Sequence, residues 1–337
     1  MKKAVSTLVL GLVMAAAMLA QDAAFANGQR LYDQKQYDQA LASFQDVVAR
    51  RPDNYAAWYN IGLCHYGMQR YDKAAESFNK AIALKADYAD AWIQLGNSLD
   101  YQDKYSEAVG AYERAIQYQP NNANVYFELG VSHYRKKVYS ESVKAFKESI
   151  RIDGSNAVTH YRIALDYKEL KQMADAQAEL EQAVSLGIQN GYAQYELGRI
   201  YSDQSKSDKA IEMLNSAVRV KPDLTDGWME LGNNYYNSNR PTEAITAYKR
   251  ATELEPKNSN AALYLADAYL NAARYDEAIP AYNNTLSLEP KNPQAIYGLG
   301  LVYYNQKKKD LAQQQYDKLK PLNDALATKL MAWIVKM

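Results

Sequence analysis

The feature that most constrains this chain is a pattern that recurs every 34 residues through nine consecutive copies. In the numbering used below, Trp228 is position 4 of its copy. Position 8 is small: Gly28, Gly62, Gly96, Gly130, Ala164, Gly198, Gly232, Ala266 and Gly300. Position 20 is also small: Ala40, Ala74, Ala108, Ser142, Ala176, Ala210, Ala244, Ala278 and Ala312. Position 24 is aromatic or leucine: Phe44, Phe78, Tyr112, Phe146, Leu180, Leu214, Tyr248, Tyr282 and Tyr316. A chain with this period folds by stacking copies of one supersecondary unit.

The spacing within each copy predicts two helices joined by a turn. Positions 4, 7, 8 and 11 lie on one stripe of a first helix, and positions 20, 24 and 27 lie on one stripe of a second helix. Small residues at positions 8 and 20 allow the two helix axes to approach closely. A proline at position 32 ends the second helix, because the residue before proline avoids helical geometry. These prolines are Pro52, Pro120, Pro222, Pro256 and Pro290.

These residues resemble the tetratricopeptide repeat (TPR) family, whose pattern is Trp-x2-Leu-Gly-x2-Tyr followed by alanine, an aromatic residue and proline. One copy is carried by Trp228, Leu231, Gly232, Tyr235, Ala244, Tyr248 and Pro256. The resemblance implies an all-α fold, a right-handed α-solenoid (superhelix) of about nine 34-residue helix-turn-helix repeats with a C-terminal capping helix. We assign residues 27–321 to the array and residues 322–337 to the capping helix, with Leu326, Leu330 and Trp333 on one face. The repeat frames are 27–54, 55–88, 89–122, 123–156, 157–190, 191–224, 225–258, 259–292 and 293–321.

The first 26 residues differ from the rest of the chain. Lys2 and Lys3 precede an apolar run that ends near Ala20, and the sequence 24–26 forms a small-x-small cleavage site. This pattern predicts a secretory signal peptide over residues 1–26, cleaved before Asn27. An uncleaved membrane anchor is the alternative, but the apolar run is shorter than the span of about 20 residues that a bilayer requires. We therefore expect export to the periplasm of a bacterium, or secretion, and no integral membrane segment in the mature chain.

Composition and motifs give little support for nucleic-acid binding or catalysis. Lys plus Arg and Asp plus Glu both number 39, whereas nucleic-acid binders carry a basic excess or face. His65, His133 and His160 have no second histidine or cysteine at metal-ligand spacing, so we expect no metal site. Cys64 is the only cysteine. We predict a protein that is not an enzyme and uses no cofactor.

Binding residues are predicted on one face of the first helices, formed by positions 2, 5, 9, 12 and 13. In the TPR family these positions line a concave groove, so the resemblance makes them candidate contacts for an extended peptide or a partner helix. Tyrosine is abundant, with 30 Tyr against 5 Phe, and aromatic rings beside amides suit a peptide ligand. The same rings also suit packing between neighbouring repeats. The predicted groove residues are Tyr59, Tyr66, Asn97, Tyr101, Phe127, Tyr134, Tyr161, Tyr195, Asn233, Tyr236, Asn237, Asn271, Tyr297 and Tyr304.

Three functions stay open at this point. The first is an exported TPR scaffold or adaptor that binds another protein, within an envelope assembly, secretion or polysaccharide-export complex. The second is a structural solenoid that self-assembles into a homo-oligomer. The third is glycan binding, because tyrosine faces and asparagine amides also suit sugar rings.

Overall fold

The computed structural model describes residues 23–337, and every regular element in that range is an α-helix. Residues 1–22, most of the predicted signal peptide, lie outside the described part. Helix α1 covers residues 23–33. The helices that follow are α2 (Tyr37–Arg50), α3 (Tyr55–Gly67), α4 (Tyr71–Leu84), α5 (Ala89–Asp100), α6 (Tyr105–Tyr118), α7 (Ala123–Arg135), α8 (Tyr139–Ile152), α9 (Ala157–Glu169), α10 (Met173–Ser185), α11 (Gly191–Asp203), α12 (Ser207–Val220), α13 (Thr225–Asn237), α14 (Pro241–Leu254), α15 (Ser259–Asn271), α16 (Tyr275–Leu288), α17 (Pro293–Asn305), α18 (Lys309–Leu319) and α19 (Asp324–Ile334).

The arrangement confirms the predicted all-α repeat solenoid. From α3 onward, odd-numbered helices up to α17 are first helices of a repeat, and the helix after each is its second helix. Helices adjacent in sequence pack together, as α3 does with α4 and α4 with α5. The described chain divides into two compact units, unit 1 up to Glu179 and unit 2 from Leu180. In unit 1 Phe78, Tyr112 and Phe146 are fully buried, and in unit 2 Leu214 and Tyr282 are fully buried.

The glycines at position 8 allow the position-24 ring to lie directly on the first helix. A Cβ atom built on Gly96 would lie 2.6 Å from the Tyr112 ring, and one built on Gly62 would lie 2.5 Å from the Phe78 ring. Side-chain carbons do not approach this closely, so any larger residue would force the hairpin apart. In these two repeats ring-to-backbone packing thus explains the small residue; Gly198 instead meets Leu214, and Gly300 meets Leu330 of α19.

The turn inside each repeat uses a residue in the left-handed region without using glycine. Position 15 has φ between 55° and 61° in all nine copies: Lys35, Gln69, Asp103, Lys137, Lys171, Ser205, Asn239, Ala273 and Lys307. The next residue donates its N–H to the carbonyl five residues earlier, as Arg240 N does to Tyr235 O at 2.9 Å. This bond satisfies a carbonyl that the end of the first helix would otherwise leave free. Nine equivalent turns therefore hold the two helices of each repeat in the same relation.

Both ends of the described chain carry helices that cover neighbouring apolar surface. The ring of Phe25 on α1 meets the ring of Phe44 edge-on, with centroids 5.4 Å apart. At the other end α19 packs on α17 and α18, and Leu330 and Ile334 are buried there. Trp333, predicted on the same face as Leu330, is 41% exposed, and its ring contacts that of Tyr304 at 5.3 Å. The buried face of α19 is therefore formed by Ala327, Leu330 and Ile334 rather than by Trp333.

Candidate functional site

All but one of the predicted groove residues lie on first helices; Tyr101 caps the C-terminus of α5. The structure assigns them different surroundings in the two units. Some face other side chains of their own repeat, some stack into small aromatic clusters, and three come together at a cleft in unit 2.

The asparagines at position 9 bond to buried tyrosines of their own repeat. Tyr112 Oη donates to Asn97 Oδ1 at 2.7 Å, and Tyr248 Oη donates to Asn233 Oδ1 at 2.8 Å. A third repeat uses an acid in the same way, since Tyr282 Oη donates to a carboxylate oxygen of Asp267 at 2.6 Å. A buried phenol requires such an acceptor. These position-9 side chains therefore stabilise the hairpin and leave only their remaining polar atoms for a ligand.

In unit 1 the aromatic residues at position 5 pack mainly against neighbouring rings. Tyr59 lies 5.6 Å from Phe78 and 5.0 Å from Tyr88, centroid to centroid. Burial, followed by the nearby Tyr88 phenol, raises the pKa of Tyr59 well above its ordinary value. Phe127 packs on Phe146 in the same way at 5.4 Å. These residues contribute substantially to packing between helices.

A second aromatic group in unit 1 reaches the surface. The Tyr101 ring stacks on the Tyr71 ring with centroids 4.6 Å apart and planes 6° apart, and Tyr66 meets both rings edge-on. Tyr101 is 59% exposed. Tyr134 forms a related pair with Tyr139 at 5.6 Å, while Tyr161 on α9 is half-buried.

The predicted groove residues of unit 2 other than Asn233, Tyr236 and Asn237 have separate surroundings. Tyr195 lies under the Arg199 guanidinium at 5.7 Å, and burial raises the pKa of its phenol. Asn271, the last residue of α15, is exposed. Tyr297 and Tyr304 are half-buried on α17, where Tyr304 contacts Trp333 of the capping helix.

The best-defined recess with aromatic walls is a cleft of about 400 Å³ in unit 2, which we call the α13 cleft. It joins three of the predicted groove residues, Asn233, Tyr236 and Asn237, to residues from the first helices before and after them. The lining residues are Ser202 on α11, Glu230, Asn233, Tyr236 and Asn237 on α13, Tyr248 on α14, and Tyr264 and Asp267 on α15.

Two rings and a buried carboxylate shape this cleft. The Tyr248 and Tyr264 rings lie 5.8 Å apart, with Tyr248 only 3% exposed and Tyr264 37% exposed. Asp267 is half-buried beside them, and burial raises the pKa of its carboxyl, although the hydrogen bond from Tyr282 opposes that shift. The cleft thus combines aromatic faces with acidic and amide groups.

Glu230, Tyr264 and Asp267 were not among the binding residues predicted from the sequence. The signal was present, because positions 6, 9 and 13 follow a three- and four-residue spacing and so share one helix face. Position 6 was omitted from the predicted stripe, and this position supplies both Glu230 and Tyr264.

Unit 1 contains two buried carboxylates, each of which accepts a hydrogen bond from a buried serine hydroxyl. Asp100 is 5% exposed and accepts a hydrogen bond from Ser132 Oγ at 2.7 Å. Asp166 has no exposed surface, and Ser142 Oγ donates to its Oδ2 at 2.7 Å while Oδ1 has no hydrogen-bond partner. Burial raises the pKa of Asp166 to about 7; the Ser142 hydrogen bond and the charge of Arg162 oppose this shift.

The remaining reactive side chains do not assemble into a site. Burial raises the pKa of the Cys64 thiol to about 12, and the side chain has no exposed surface. His160 Nδ1 lies 2.6 Å from a Glu179 carboxylate oxygen, whereas burial lowers the pKa of His65 and His133. Within residues 23–337, no group of three His, Cys, Asp or Glu side chains is arranged to hold a metal ion.

None of the helices in the described part of the chain has both the length and the apolar character needed to cross a lipid bilayer.

Family models match four segments of the chain. Models described as tetratricopeptide repeat match residues 25–89 and 192–224, and a model described as TPR repeat matches residues 101–137. The model of the cytochrome c-type biogenesis protein H TPR domain matches residues 214–328. These segments are tetratricopeptide repeats. No curated protein matches the chain at a significant level.

The chain is also similar to several solved structures. The C-terminal part of a TPR repeat-containing protein from Cytophaga hutchinsonii is 18% identical with a TM-score of 0.61, over 72% of this chain and 99% of that chain. YrrB, described as a TPR protein with an unusual peptide-binding site, is 22% identical with a TM-score of 0.49, over 56% of this chain and 96% of that chain. MamA from Desulfovibrio magneticus RS-1 is 16% identical with a TM-score of 0.48, over 49% of this chain and 94% of that chain. The first of these likenesses is strong enough to support the TPR solenoid fold.

Proposed function

We propose that this protein is a non-enzymatic scaffold that binds an extended segment of a partner protein on the first helices of its repeats. The observation that carries the proposal is the α13 cleft, where Asn233, Tyr236 and Asn237 meet the partly exposed ring of Tyr264. Aromatic side chains that are rigid and half-exposed, with amides beside them, are the groups that dominate binding energy at protein interfaces.

The dimensions of the repeat favour an extended segment as the ligand. The cleft is lined from α11, α13 and α15, which are first helices of three consecutive repeats. Directly packed helices lie about 8–10 Å apart, and consecutive first helices contact each other only slightly, so a ligand that crosses from α11 to α15 spans at least about 16–20 Å. An extended chain covers this distance with about six residues. Such a segment leaves its backbone free to bond with Asn237 and with the free atoms of Asn233.

Panning a library of short random peptides on the intact protein tests this function. We expect the enriched peptides to bind the wild type, and to bind the Tyr264→Ala and Asn237→Ala variants about thirtyfold more weakly, since truncation of a hot-spot residue costs about 2 kcal/mol or more. Tyr118→Ala is the matched control, because Tyr118 is 41% exposed, close to the 37% of Tyr264, and lies on the second helix α6. Equal loss in the control, or no loss in either cleft variant, would place the binding surface elsewhere.

The proposed location is the periplasm of a bacterium or the exterior, within an envelope assembly, secretion or polysaccharide-export complex. The support is the signal-peptide pattern of residues 1–26. Mass spectrometry of the protein recovered from a fractionated bacterial host should show Asn27 as the N-terminus. A chain that retains Met1 and stays with the cytoplasm would contradict this location without affecting the binding proposal.

A further inference from the structure

The α13 cleft contains acidic groups and no basic ones. Glu230 and Asp267 are the charged residues among its lining side chains, and none of the lining side chains is a lysine, arginine or histidine. Neither carboxylate forms an ion pair within 4 Å among residues 23–337. Arg199 is the cation whose charge interacts with Glu230, and its guanidinium lies over the Tyr195 ring instead. The cleft therefore has two acidic groups without an ion-pair partner within 4 Å, and the charge of Arg199 acts on Glu230 from a greater distance.

Asp267 carries the more informative of these two charges. Tyr282 donates to its Oδ1 from the core side, which fixes the side chain in place. Its second oxygen, Oδ2, accepts no hydrogen bond and is not buried. Because Asp267 lines the cleft, this oxygen reaches the cleft. An ionised carboxylate in a half-buried position is costly unless a positive charge or a hydrogen-bond donor approaches it. A positively charged ligand supplies both.

The aromatic walls favour the same kind of ligand. The faces of tyrosine rings attract a cation within about 6 Å of the ring centroid. The Tyr248 and Tyr264 rings lie 5.8 Å apart beside Asp267, so one cationic group can contact a ring face and a carboxylate together. An acidic side chain in this cleft would instead face two like charges.

We propose that the α13 cleft receives a lysine or arginine side chain of the bound partner segment, with Asp267 and Glu230 as the charged acceptors. This inference rests on the proposed function and adds the chemistry of the partner. The backbone of the segment crosses the first helices from α11 to α15. One basic side chain of the segment projects between the Tyr264 ring and the Asp267 carboxylate.

The test begins with peptides enriched by panning on the wild-type protein. We expect a basic residue at one fixed position of these peptides. Replacing that residue by citrulline, or by norleucine if it is lysine, keeps the length and removes the charge. Binding measured by fluorescence anisotropy should then weaken about tenfold or more, as a charge-assisted hydrogen bond is lost. Raising the salt concentration should weaken the original peptide more than the substituted one.

Variants of the protein test the same contact from the other side. Asp267→Asn keeps an oxygen to accept from Tyr282, and Glu230→Gln provides a second variant that leaves the core untouched. Each variant should bind the basic peptide more weakly than the wild type does, and should bind the uncharged peptide with unchanged affinity. Glu253→Gln is the matched control, since it makes the same change of charge on α14 in an exposed pair with Arg250 at 3.0 Å.

The outcomes separate this inference from the proposed function. Enriched peptides without a basic residue, or equal binding of charged and uncharged peptides, would overturn the inference while the scaffold function stands. Equal weakening by Glu253→Gln would also overturn it, because net charge alone would then explain the effect. A library from which no peptide is enriched would overturn both.

Discussion

Asp166 makes the stability of unit 1 depend on pH in a direction opposite to that of an ordinary ion-paired carboxylate. In the folded chain burial raises its pKa to about 7, against an ordinary value of 3.8. The folded state therefore holds a proton on Asp166 at pH values where the unfolded chain has released it. The resulting stability is fully present below the ordinary carboxyl range and is lost as pH rises through 7.

The size of the effect follows from these two values. Between pH 6 and pH 8 the ionised fraction of folded Asp166 rises from about one tenth to about nine tenths, while the unfolded residue stays ionised. With 1.36 kcal/mol for each pKa unit, unit 1 loses about 1.4 kcal/mol over this interval. Other groups titrate nearby, and Arg162, Glu169, Tyr134 and Tyr139 all interact electrostatically with Asp166 or its surroundings. A comparison with Asp166→Asn removes their contribution.

Native-state hydrogen exchange is the appropriate assay, because long repeat arrays do not unfold as a single cooperative unit. The amides of α8 and α9 should show that the advantage of Asp166→Asn over the wild type grows by about 1.4 kcal/mol from pH 6 to pH 8. Asp87→Asn, at an exposed position, should show no such change. If the difference between wild type and Asp166→Asn is the same at both pH values, Asp166 does not titrate in this range. The same result is expected if the charge of Arg162 keeps the carboxylate ionised throughout.

Three further predictions test the packing, each measured by native-state hydrogen exchange of the amides in the affected repeat. Gly96→Ala should lower the free energy of unfolding by about 1–3 kcal/mol, because its Cβ would lie 2.6 Å from a buried ring. Gly110→Ala, with open space around it, should raise the free energy of unfolding by about 0.5–1 kcal/mol. Equal effects of the two substitutions would disprove the ring-to-backbone contact. Ala273→Gly should raise the free energy of unfolding by about 0.5–1 kcal/mol, because glycine relieves the strain of alanine in a left-handed conformation. Asn239→Gly should raise it less, because asparagine tolerates that region. An equal increase at both positions would count against strain at Ala273. In a chain that retains residues 1–26, Phe25→Ala should destabilise the N-terminal repeat by about 1 kcal/mol, since the ring is half-buried against its neighbour. Unchanged exchange of the α2 amides would refute this contribution.

The repeat register could be predicted from the sequence because it depends on contacts inside one hairpin. Gly62 and Phe78 are 16 residues apart and recur together, so their contact is visible as two columns. The turn between the two helices was predicted, but its left-handed residue at position 15 was not, since the residues there share no chemistry. Geometry is imposed at this position by the helices on either side rather than by glycine.

The role of the position-9 asparagines could have been found by comparing columns with each other. Asn97 and Asn233 occur where position 24 is tyrosine, and Leu63 and Val131 occur where position 24 is phenylalanine. The first and last copies depart from this pairing, with Gln29 and Phe44 in one and Leu301 and Tyr316 in the other. The α13 cleft was harder to predict. Its residues come from three repeats, and whether Tyr264 and Asp267 meet depends on how neighbouring first helices pack, which no local spacing determines. The N-terminus stays a prediction, although residues 23–26 of the proposed signal peptide belong to helix α1.

The bond between position 24 and position 9 determines which pieces of this chain are interchangeable. A hairpin transplanted whole carries its phenol together with the acceptor for that phenol. Some repeats have phenylalanine at position 24 and others have tyrosine. Exchange of a single helix between these two kinds of repeat separates the phenol from its acceptor. It leaves either a hydroxyl without an acceptor or an amide against a ring that has no hydroxyl. Duplication and recombination are therefore tolerated at the joints between hairpins and penalised at the turn within one. For protein engineers who wish to lengthen the array, the intact hairpin is the smallest self-consistent module.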